Sequence, residues 1–446
     1  MDSFEHETMS VSKQARDFLR SRQSRSVAST MEKARASGRI LLQPRCGVGS
    51  HEQQLALLKK LSEDANPDVA TITIDSYTRL GAFDKAHELA RTNPATLNGY
   101  PLVAHGAERL REMVLAIEAP IQIRHGSPDP RRLFSTSLEG GADGFEGGPL
   151  SYTLPYSKDF PLERSLRAWD IVDEVCGELA EDGINIDREF FGSLSGTLVH
   201  PVISLSVTFI EAMKAFSKGA NKVGIAISQS GCPYQDIAGL RAIELLATSL
   251  CPGKTVFPIL HHFMGVFPRD PTKALALIAQ GSVTARLGKA TKVVVKTQVE
   301  ALGIPSADAN ATAINFSRIF FSPIFDGFLP DNSKIDEEAQ QIYCEVESLV
   351  SMTFEHGDSN GTIANLFAEG RLDVPFCPSR YCKGLCVPRR ADDGAIRIVD
   401  PGLMSFSRPF LDREMRMAGL NADPMQISAM IRDIQYFSGE DDADSQ

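Results

Sequence analysis

Long apolar runs are missing from this chain of 446 residues. No stretch reaches the roughly 18 consecutive apolar residues that would suggest a transmembrane helix. The first residues, Met-Asp-Ser-Phe-Glu-His-Glu, are acidic and lack the apolar core of a secretory signal. Cysteine is scarce, at 8 residues, which excludes a disulfide scaffold and leaves free thiols in a reducing cytoplasm as the expectation. Basic charge is in deficit: 46 Lys and Arg stand against 57 Asp and Glu, a net charge of −11. That balance speaks against a dedicated nucleic-acid binder, although it leaves room for a local basic pocket. Aromatic residues are few, with one tryptophan, Trp169. No collagenous, low-complexity or repeat pattern occurs.

The usual chemical signatures are also absent. Gly47-Val48-Gly49 lacks the third glycine of a dinucleotide fingerprint. Gly253-Lys254-Thr255 resembles the end of a P-loop, but Thr248 stands where its first glycine belongs and the segment precedes a strand. There is no G-x-S-x-G and no H-E-x-x-H. Cys377, Cys382 and Cys386 are spaced C-x4-C-x3-C, which misses the paired C-x2-C of zinc sites. Incidental or packed thiols are the simpler reading, and no metal is expected. His261-His262 sits at a strand end, where a packed or hydrogen-bonded role competes with metal ligation.

What is present is alternation. Residues 1–38 are polar, with a helical stretch from about Val11 to Ala36 whose basic residues fit a solvated helix lying on the body. From Arg39, short β-type runs alternate with amphipathic segments. The runs are Ile40–Gln43, Val69–Ile74, Ile121–Ile123, Gly144–Leu150, Thr197–Leu205, Lys222–Ile227, Val256–Leu260 and Lys292–Lys296. Helical patterns include Glu52–Glu63, Ala107–Ile117, Leu162–Glu181, Ile210–Ser217, Ile237–Thr248, Thr272–Arg286 and Asp308–Ile319. Eight such units predict a parallel α/β fold, a (β/α)8 TIM barrel, with a doubly wound open sheet as the alternative. After about Pro323 the alternation stops and Ile335–Phe354 reads as one long helix. The expected organisation is an N-terminal helical arm (1–38), a catalytic barrel (39–322), a C-terminal helical and irregular appendage packed on it (323–438) and a disordered acidic tail (439–446).

The informative residues stand at strand ends, the active-site face of such a barrel. Arg45 follows the first strand, Arg79 the second, and Arg124-His125 ends the third. Arg grips carboxylates or phosphates through a planar fork and stays charged. Three of them exceed the need of one monocarboxylate, so they imply a dicarboxylate or a phosphorylated ligand. The fourth run continues through Glu146, Gly147 and Gly148 to Tyr152 and Tyr156. Glu146 could receive an ammonium, and the two Tyr supply phenol donors. This set suits an amino dicarboxylic acid, and taken alone it points to binding. Lys296 and Glu300, four apart after the eighth run, make an ordinary ion-pair spacing.

Together these stretches resemble one family. QPRCGVG, TIDSYTR, LNGYP, RHGSPD, FEGGPLSYTLPYSKD, REFFGSLSGTLVHP, HHFMGVFPRD, KATKVVVKTQVEALGIP and DVPFCPSRY occur in the order found in the large (epsilon) subunit of adenosylcobalamin-dependent glutamate mutase, also called methylaspartate mutase. The resemblance runs from about residue 40 to 380 and implies a (β/α)8 barrel. It implies an isomerase that converts L-glutamate to (2S,3S)-3-methylaspartate by a radical rearrangement of the carbon skeleton. Cleavage of the cofactor's Co–C bond would start the reaction, and the substrate radical would fragment to acrylate and a glycyl radical before recombining. By resemblance, Arg45, Arg79 and Arg124 form a claw on the substrate carboxylates. His125, Glu146, Tyr152 and Tyr156 complete the substrate site, with Glu146 and Arg124 central to catalysis. Gly47, Asn98, Pro155, Phe267, Lys296, Glu300 and Ile304 match positions that contact adenosylcobalamin.

The cobalt-ligating D-x-H-x-x-G motif is not found in this chain. The resemblance therefore implies a separate small cobalamin-binding (sigma) subunit that supplies the His. It also implies a hetero-oligomer with self-association of the large subunit, without nucleic acid or membrane. A related mutase of 2-oxoglutarate or 2-hydroxyglutarate, or a non-catalytic dicarboxylate-binding homologue, are the alternatives. The chain departs from the family pattern at Cys46, where Ala or Ser is common, and at Phe190 and Ser193, where Pro is usual. SQSGCPYQD differs from a Gly-rich C-G-N stretch, and the thiols at 377–386 are not a family feature.

Overall fold

A computed structural model describes residues 9–192, 198–328, 331–355, 357, 359–419 and 427–438. Eight parallel strands form one sheet: β1 (Leu41–Gln43), β2 (Ala70–Thr73), β3 (Ile121–Arg124), β4 (Gly144–Glu146), β5 (Asp187–Phe190), β6 (Lys222–Ser228), β7 (Thr255–His261) and β8 (Lys292–Val294). Each strand pairs in parallel with the next from β2 to β8, and β8 pairs with β1. The remaining seam is bridged by Asp68 N–H donating to Leu42 O at 3.0 Å and Thr73 N–H donating to Cys46 O at 2.8 Å. The sheet is thus nearly closed into the expected (β/α)8 barrel, with its helices outside and every strand's C-terminal end on one face.

Local chemistry explains the alternation. Strands such as β6 and β7 are buried along most of their length, as apolar parallel strands must be when helices cover them. The helices start on side-chain caps: Asp270 accepts from Thr272 N and Lys273 N, with Pro271 in the first position. Ser50 and Ser306 do the same for the helices His51–Asp64 and Ala307–Ile319. The apolar core fills the space between strands and helices, with Leu42, Ile72, Ile123, Val223 and Leu260 all buried in one cluster.

Some expected elements shift. Of the strand expected at Thr197–Leu205, Thr197 lies outside the described residues, and Pro201 to Leu205 instead start the helix Pro201–Ser217, capped by His200, whose Nδ1 accepts from Val202 N. The fifth strand lies earlier, at Asp187-Arg188-Glu189-Phe190. Its charged side chains hide it from a search for apolar runs. The fourth run is a strand only to Glu146, after which Pro149–Thr153 turns helical. The helix expected from Val11 to Ala36 is two, Lys13–Ser21 and Val27–Ser37, with Ser26 capping the second. Val27, Met31 and Ala34 of the second helix pack with Leu41, Val69 and Phe257. Val27 N–H donates to Asp143, just ahead of β4, and Arg35 to Val256 O in β7. The arm therefore covers the N-terminal end of the barrel, opposite the mouth.

Beyond the barrel, the helix Asn332–Glu355 packs on Pro201–Ser217 and Pro233–Leu250. An unexpected antiparallel hairpin follows, β9 (Val387–Arg390) and β10 (Ile396–Asp400). Buried Arg397 holds these parts together through Glu338 at 2.8 Å and Glu414 at 2.9 Å. Among the described residues no helix is long and apolar enough to cross a membrane. Ser193 and the acidic segment 439–446 lie outside the described residues.

Candidate active site at the barrel mouth

Inside the barrel, successive strands point polar side chains inward at alternate positions, the two-residue period of a strand. Gln43 on β1 donates to Thr71 on β2 at 2.8 Å and to Gln122 on β3 at 2.7 Å. Gln122 donates on to Asp187 and Glu189 of β5, each at 2.9 Å. Glu189 accepts from Lys292 Nζ of β8 at 2.5 Å and lies 3.0 Å from His261 Nε2 of β7. All of these residues are buried.

Arg124 stands on top of this layer. It donates to Glu146 Oε1 at 2.6 Å and to Gln122 and Glu189, each at 3.2 Å. The two carboxyls around it differ in charge state. Burial works to raise Glu189, but Lys292, His261 and Arg124 outweigh it and hold it well below the usual carboxylate range. Burial pushes Glu146 up to about 7; Arg124 opposes that and the charge of Glu189 adds to it. Glu189 is thus the fixed anion and Glu146 the group that titrates near neutrality.

Of the buried polar atoms that lack a partner among the described residues, two stand beside Arg124. One is Glu146 Oε2, an acceptor. The other is His125 Nε2. His125 Nδ1 accepts from Ser127 N at 3.0 Å, which leaves the proton of a neutral ring on Nε2. Burial, then Arg79 and Arg188, keep the ring neutral by holding its pKa well below the ordinary value. The ring is packed by Phe145 at 4.5 Å, Tyr152 at 4.9 Å and a stacked Trp169 at 5.6 Å. A buried donor and a buried acceptor without partners are costly unless a ligand satisfies them.

The other two arginines expected at the mouth are Arg79 and Arg45. Arg79 ends a short helical turn, Ser76–Arg79, opened by Asp75, which accepts from Tyr77 N and Thr78 N. Its Nε donates to Ile74 O at 2.5 Å, and its outer nitrogens make no hydrogen bond among the described residues. Arg45 lies 3.3 Å from Glu300 Oε1, and Glu300 also pairs with Lys296. Burial, Arg45 and Arg124 push Lys296 down to about 7. Burial would raise Glu300, yet Lys296 and Arg45 keep it below its ordinary value. Gly126 brings Arg79 and Tyr156 together: a Cβ there would lie 3.7 Å from Arg79 Cδ and 4.0 Å from Tyr156 Cδ2. Tyr156 is 49% exposed and its ring lies 6.0 Å from that of buried Tyr152.

The remaining expected positions divide. Gly47 is pressed against β2, where a Cβ would come 2.2 Å from Thr73 O. Exposed Asn98 accepts from Ser76 N at 2.9 Å, beside the Arg79 turn. Pro155 is half-buried between Leu154 and Tyr156. Leu302 and Ile304 are 63% and 52% exposed just past Glu300, an apolar rim. Phe267 is buried in its own cluster with Phe263 and Ile278, apart from the residues around Arg124. Among the departures, Cys46 is buried with its Sγ donating to Thr71 O, and Phe190 packs on Arg188.

Gln122, Glu189 and Lys292 are not among the site residues expected from the sequence, and His261 takes the hydrogen-bonded one of the roles expected for it. A signal existed: polar residues two apart, Gln122 and Arg124, Asp187 and Glu189, on strands otherwise buried. Among the described residues, the one convergent set of metal-type donors is Glu146, Glu189 and His261, and Arg124 and Lys292 already bind its carboxylates. The thiols are engaged elsewhere: Cys382 donates to Asp373 at 3.0 Å and Cys377 to Leu154 O at 2.9 Å. His262 contacts Ser282 at 3.3 Å.

Known proteins give the same direction. The family described as methylaspartate mutase E chain (MutE) matches residues 22–421. The glutamate mutase epsilon subunit of Halobacterium salinarum is 39% identical over 85% of this chain and 80% of its own length. That of Desulfitobacterium hafniense is 38% identical over 86% and 82%, and that of Escherichia coli O157:H7 37% over 85% and 81%. A match spanning nearly the whole barrel and much of the appendage makes this chain a member of the methylaspartate mutase E-chain family.

Proposed function

We propose that this chain is the catalytic large subunit of an adenosylcobalamin-dependent glutamate mutase, which interconverts L-glutamate and (2S,3S)-3-methylaspartate. The observation that carries the reading is the buried pair of unpartnered atoms, Glu146 Oε2 and His125 Nε2, within a group of three Arg. An amino dicarboxylate supplies what each lacks. Its ammonium donates to Glu146 Oε2, and its carboxylates accept from His125 Nε2–H and from the forks of Arg45, Arg79 and Arg124. Tyr152 packs against the His125 ring, and Tyr156 lies at the open side of the substrate. The cations at the mouth balance two carboxylates in a partly buried site, where such pairs count for more than in bulk.

The rim fits a large cofactor. Lys296 and Glu300 offer a donor and an acceptor beside Arg45, and Thr297 Oγ1 and Gln298 Oε1 are buried without partners. Leu302 and Ile304 supply apolar surface, and Asn98 and Pro155 lie on the same mouth, whereas Gly47 packs on β2 and Phe267 lies in its own buried cluster. Adenosylcobalamin would supply the radical chemistry, with Lys296 and Glu300 of this chain facing it and the cobalt ligand coming from a small subunit. This chain's residues bind and orient glutamate and keep water from the reacting carbons.

The test is reconstitution. The chain is mixed with a cognate small subunit and adenosylcobalamin, and L-glutamate is followed by NMR. Formation of 3-methylaspartate is expected. No product from a folded, cofactor-loaded complex would reject the reading.

A further inference from the structure

Behind the proposed substrate turn, from Glu146 to Tyr152, stand two fully buried ionisable groups to which neither the family resemblance nor the proposed mechanism assigns a task. Arg188 lies on β5 and Glu211 on the helix Pro201–Ser217. The guanidinium of Arg188 donates to Phe145 O at 2.8 Å and to Gly147 O at 3.1 Å, the two carbonyls that flank Glu146. The carboxyl of Glu211 accepts from Leu150 N at 2.7 Å and Ser151 N at 2.8 Å, the two N–H groups that follow Pro149 in the turn. One cation thus gathers the carbonyls of the turn, and one acceptor gathers its amides.

The turn is closely packed at both of its glycines. Gly147 has φ +105°, and a Cβ there would lie 2.1 Å from the Tyr152 ring. A Cβ at Gly148 would lie 2.4 Å from Glu211 Cδ. Arg188 is itself fixed by Asp173 at 2.8 Å and by the faces of Trp169 and Phe190, 4.9 and 5.1 Å away. Trp169 in turn stacks on His125. A buried ion pair of this kind adds little net stability over apolar residues of equal volume, so stability alone does not account for it.

We propose that Arg188 and Glu211 are positioning residues that clamp the backbone of the Glu146–Tyr152 turn, setting the direction of the Glu146 carboxyl and the Tyr152 ring toward the substrate. The proposal rests on the reading of Glu146 and Tyr152 as substrate-contacting groups. Neither clamp residue touches the substrate itself. A shift of the turn by about 1 Å would cost on the order of 100-fold in turnover.

The test uses the full chain with Arg188→Lys, Arg188→Met, Glu211→Gln and Glu211→Ala. Trp169 is the chain's one tryptophan, so its emission and acrylamide quenching report the packing behind the turn without background. The reconstituted complex gives kcat and KM for L-glutamate. Gln keeps the acceptor oxygen, so Glu211→Gln should stay within about threefold of the parent, while Glu211→Ala loses about 100-fold in kcat/KM and gains Trp169 quenching. Arg188→Lys should fall between the parent and Arg188→Met, because an ammonium cannot span both carbonyls and Asp173.

Equal Trp169 spectra and equal kcat/KM for folded Glu211→Gln and Glu211→Ala would overturn the clamp, even if Arg188→Met fails to fold. If the parent complex shows no mutase activity, that result counts against the proposed function alone. The Trp169 comparison of Gln with Ala then decides the clamp.

Discussion

Glu189 and Lys292 meet across the barrel interior, Oε2 to Nζ at 2.5 Å, with neither side chain exposed to solvent. The pair joins β5 to β8 and leaves Glu189 Oε1 for Arg124. Removing one partner strands a charge that the interior cannot solvate. Lys292→Met should therefore destabilise the chain by about 3–5 kcal/mol. Combining it with Glu189→Gln should recover part of that loss. Urea unfolding of the parent, the single variants and the double variant measures both effects. A cost below about 1 kcal/mol would contradict this account of the layer.

Arg124 serves Glu146, Gln122 and Glu189 at once through two nitrogens. Lysine retains the charge but cannot hold those partners and a substrate carboxylate together. Arg124→Lys should lose about 2–3 kcal/mol of substrate interaction, roughly 30- to 150-fold in kcat/KM for L-glutamate. Circular dichroism should be unchanged. Activity within a fewfold of the parent would remove Arg124 from the claw.

Glutamate binding should strengthen with pH through neutrality. Burial raises the Glu146 carboxyl to about 7, against the pull of Arg124. Only the ionised form accepts well from an ammonium. Kd should therefore fall as pH rises from 5.5 to 7.5, by up to about tenfold per unit below the pKa, and then level off. Glu146→Gln should flatten this profile. Calorimetric titration across that range, on parent and variant, reads it directly.

Stability should carry the mark of Glu211. Burial pushes its carboxyl from an ordinary 4.5 up to about 8, although Ser151 N–H and Leu150 N–H pull it down. Between those values the native chain keeps a proton that the unfolded chain has lost. The stabilisation is complete below about pH 4.5 and is lost as pH rises toward 8. Glu211→Gln lacks this loss, so its stability relative to the parent should rise by about 1.4 kcal/mol per pH unit over that range. Denaturant titrations at pH 5.5 and 7.5 test the slope. A parallel response of parent and variant would place the Glu211 pKa near its ordinary value.

Much of the barrel could be read from the chain because its signal is local. Lys222–Ile227 and Val256–Leu260 are apolar runs of strand length bounded by turn residues, and the structure has strands there. Arg45 and Arg79 follow such runs, Arg124 ends one and Glu146 lies within one, so the chain alone suggests them as site residues. The fifth strand escaped because Asp187, Arg188 and Glu189 occupy it, and because the apolar stretch at 198–205 belongs to a helix. Charged residues survive inside a strand only when partners arrive from other strands, and no local pattern announces those partners. The hairpin of β9 and β10 was hidden for the same reason, since Arg389, Arg390 and Arg397 are buried against distant acids and carbonyls.

The amino-acid sequence by itself determined the eight-fold alternation, the face on which the Arg and Glu residues emerge and the family to which the chain belongs. These depend on spacing and residue type, which survive without coordinates. Only the tertiary structure decided which carboxyl is the fixed anion and which titrates. Glu146 and Glu189 are the same residue type, and they differ because Lys292 and His261, from β8 and β7, close on one of them. It also decided that His125 presents Nε2, through a contact with Ser127, and that Arg188 and Glu211 stand behind the turn. Protonation and orientation are set by burial and by partners far apart in the chain, and folding alone brings those partners together.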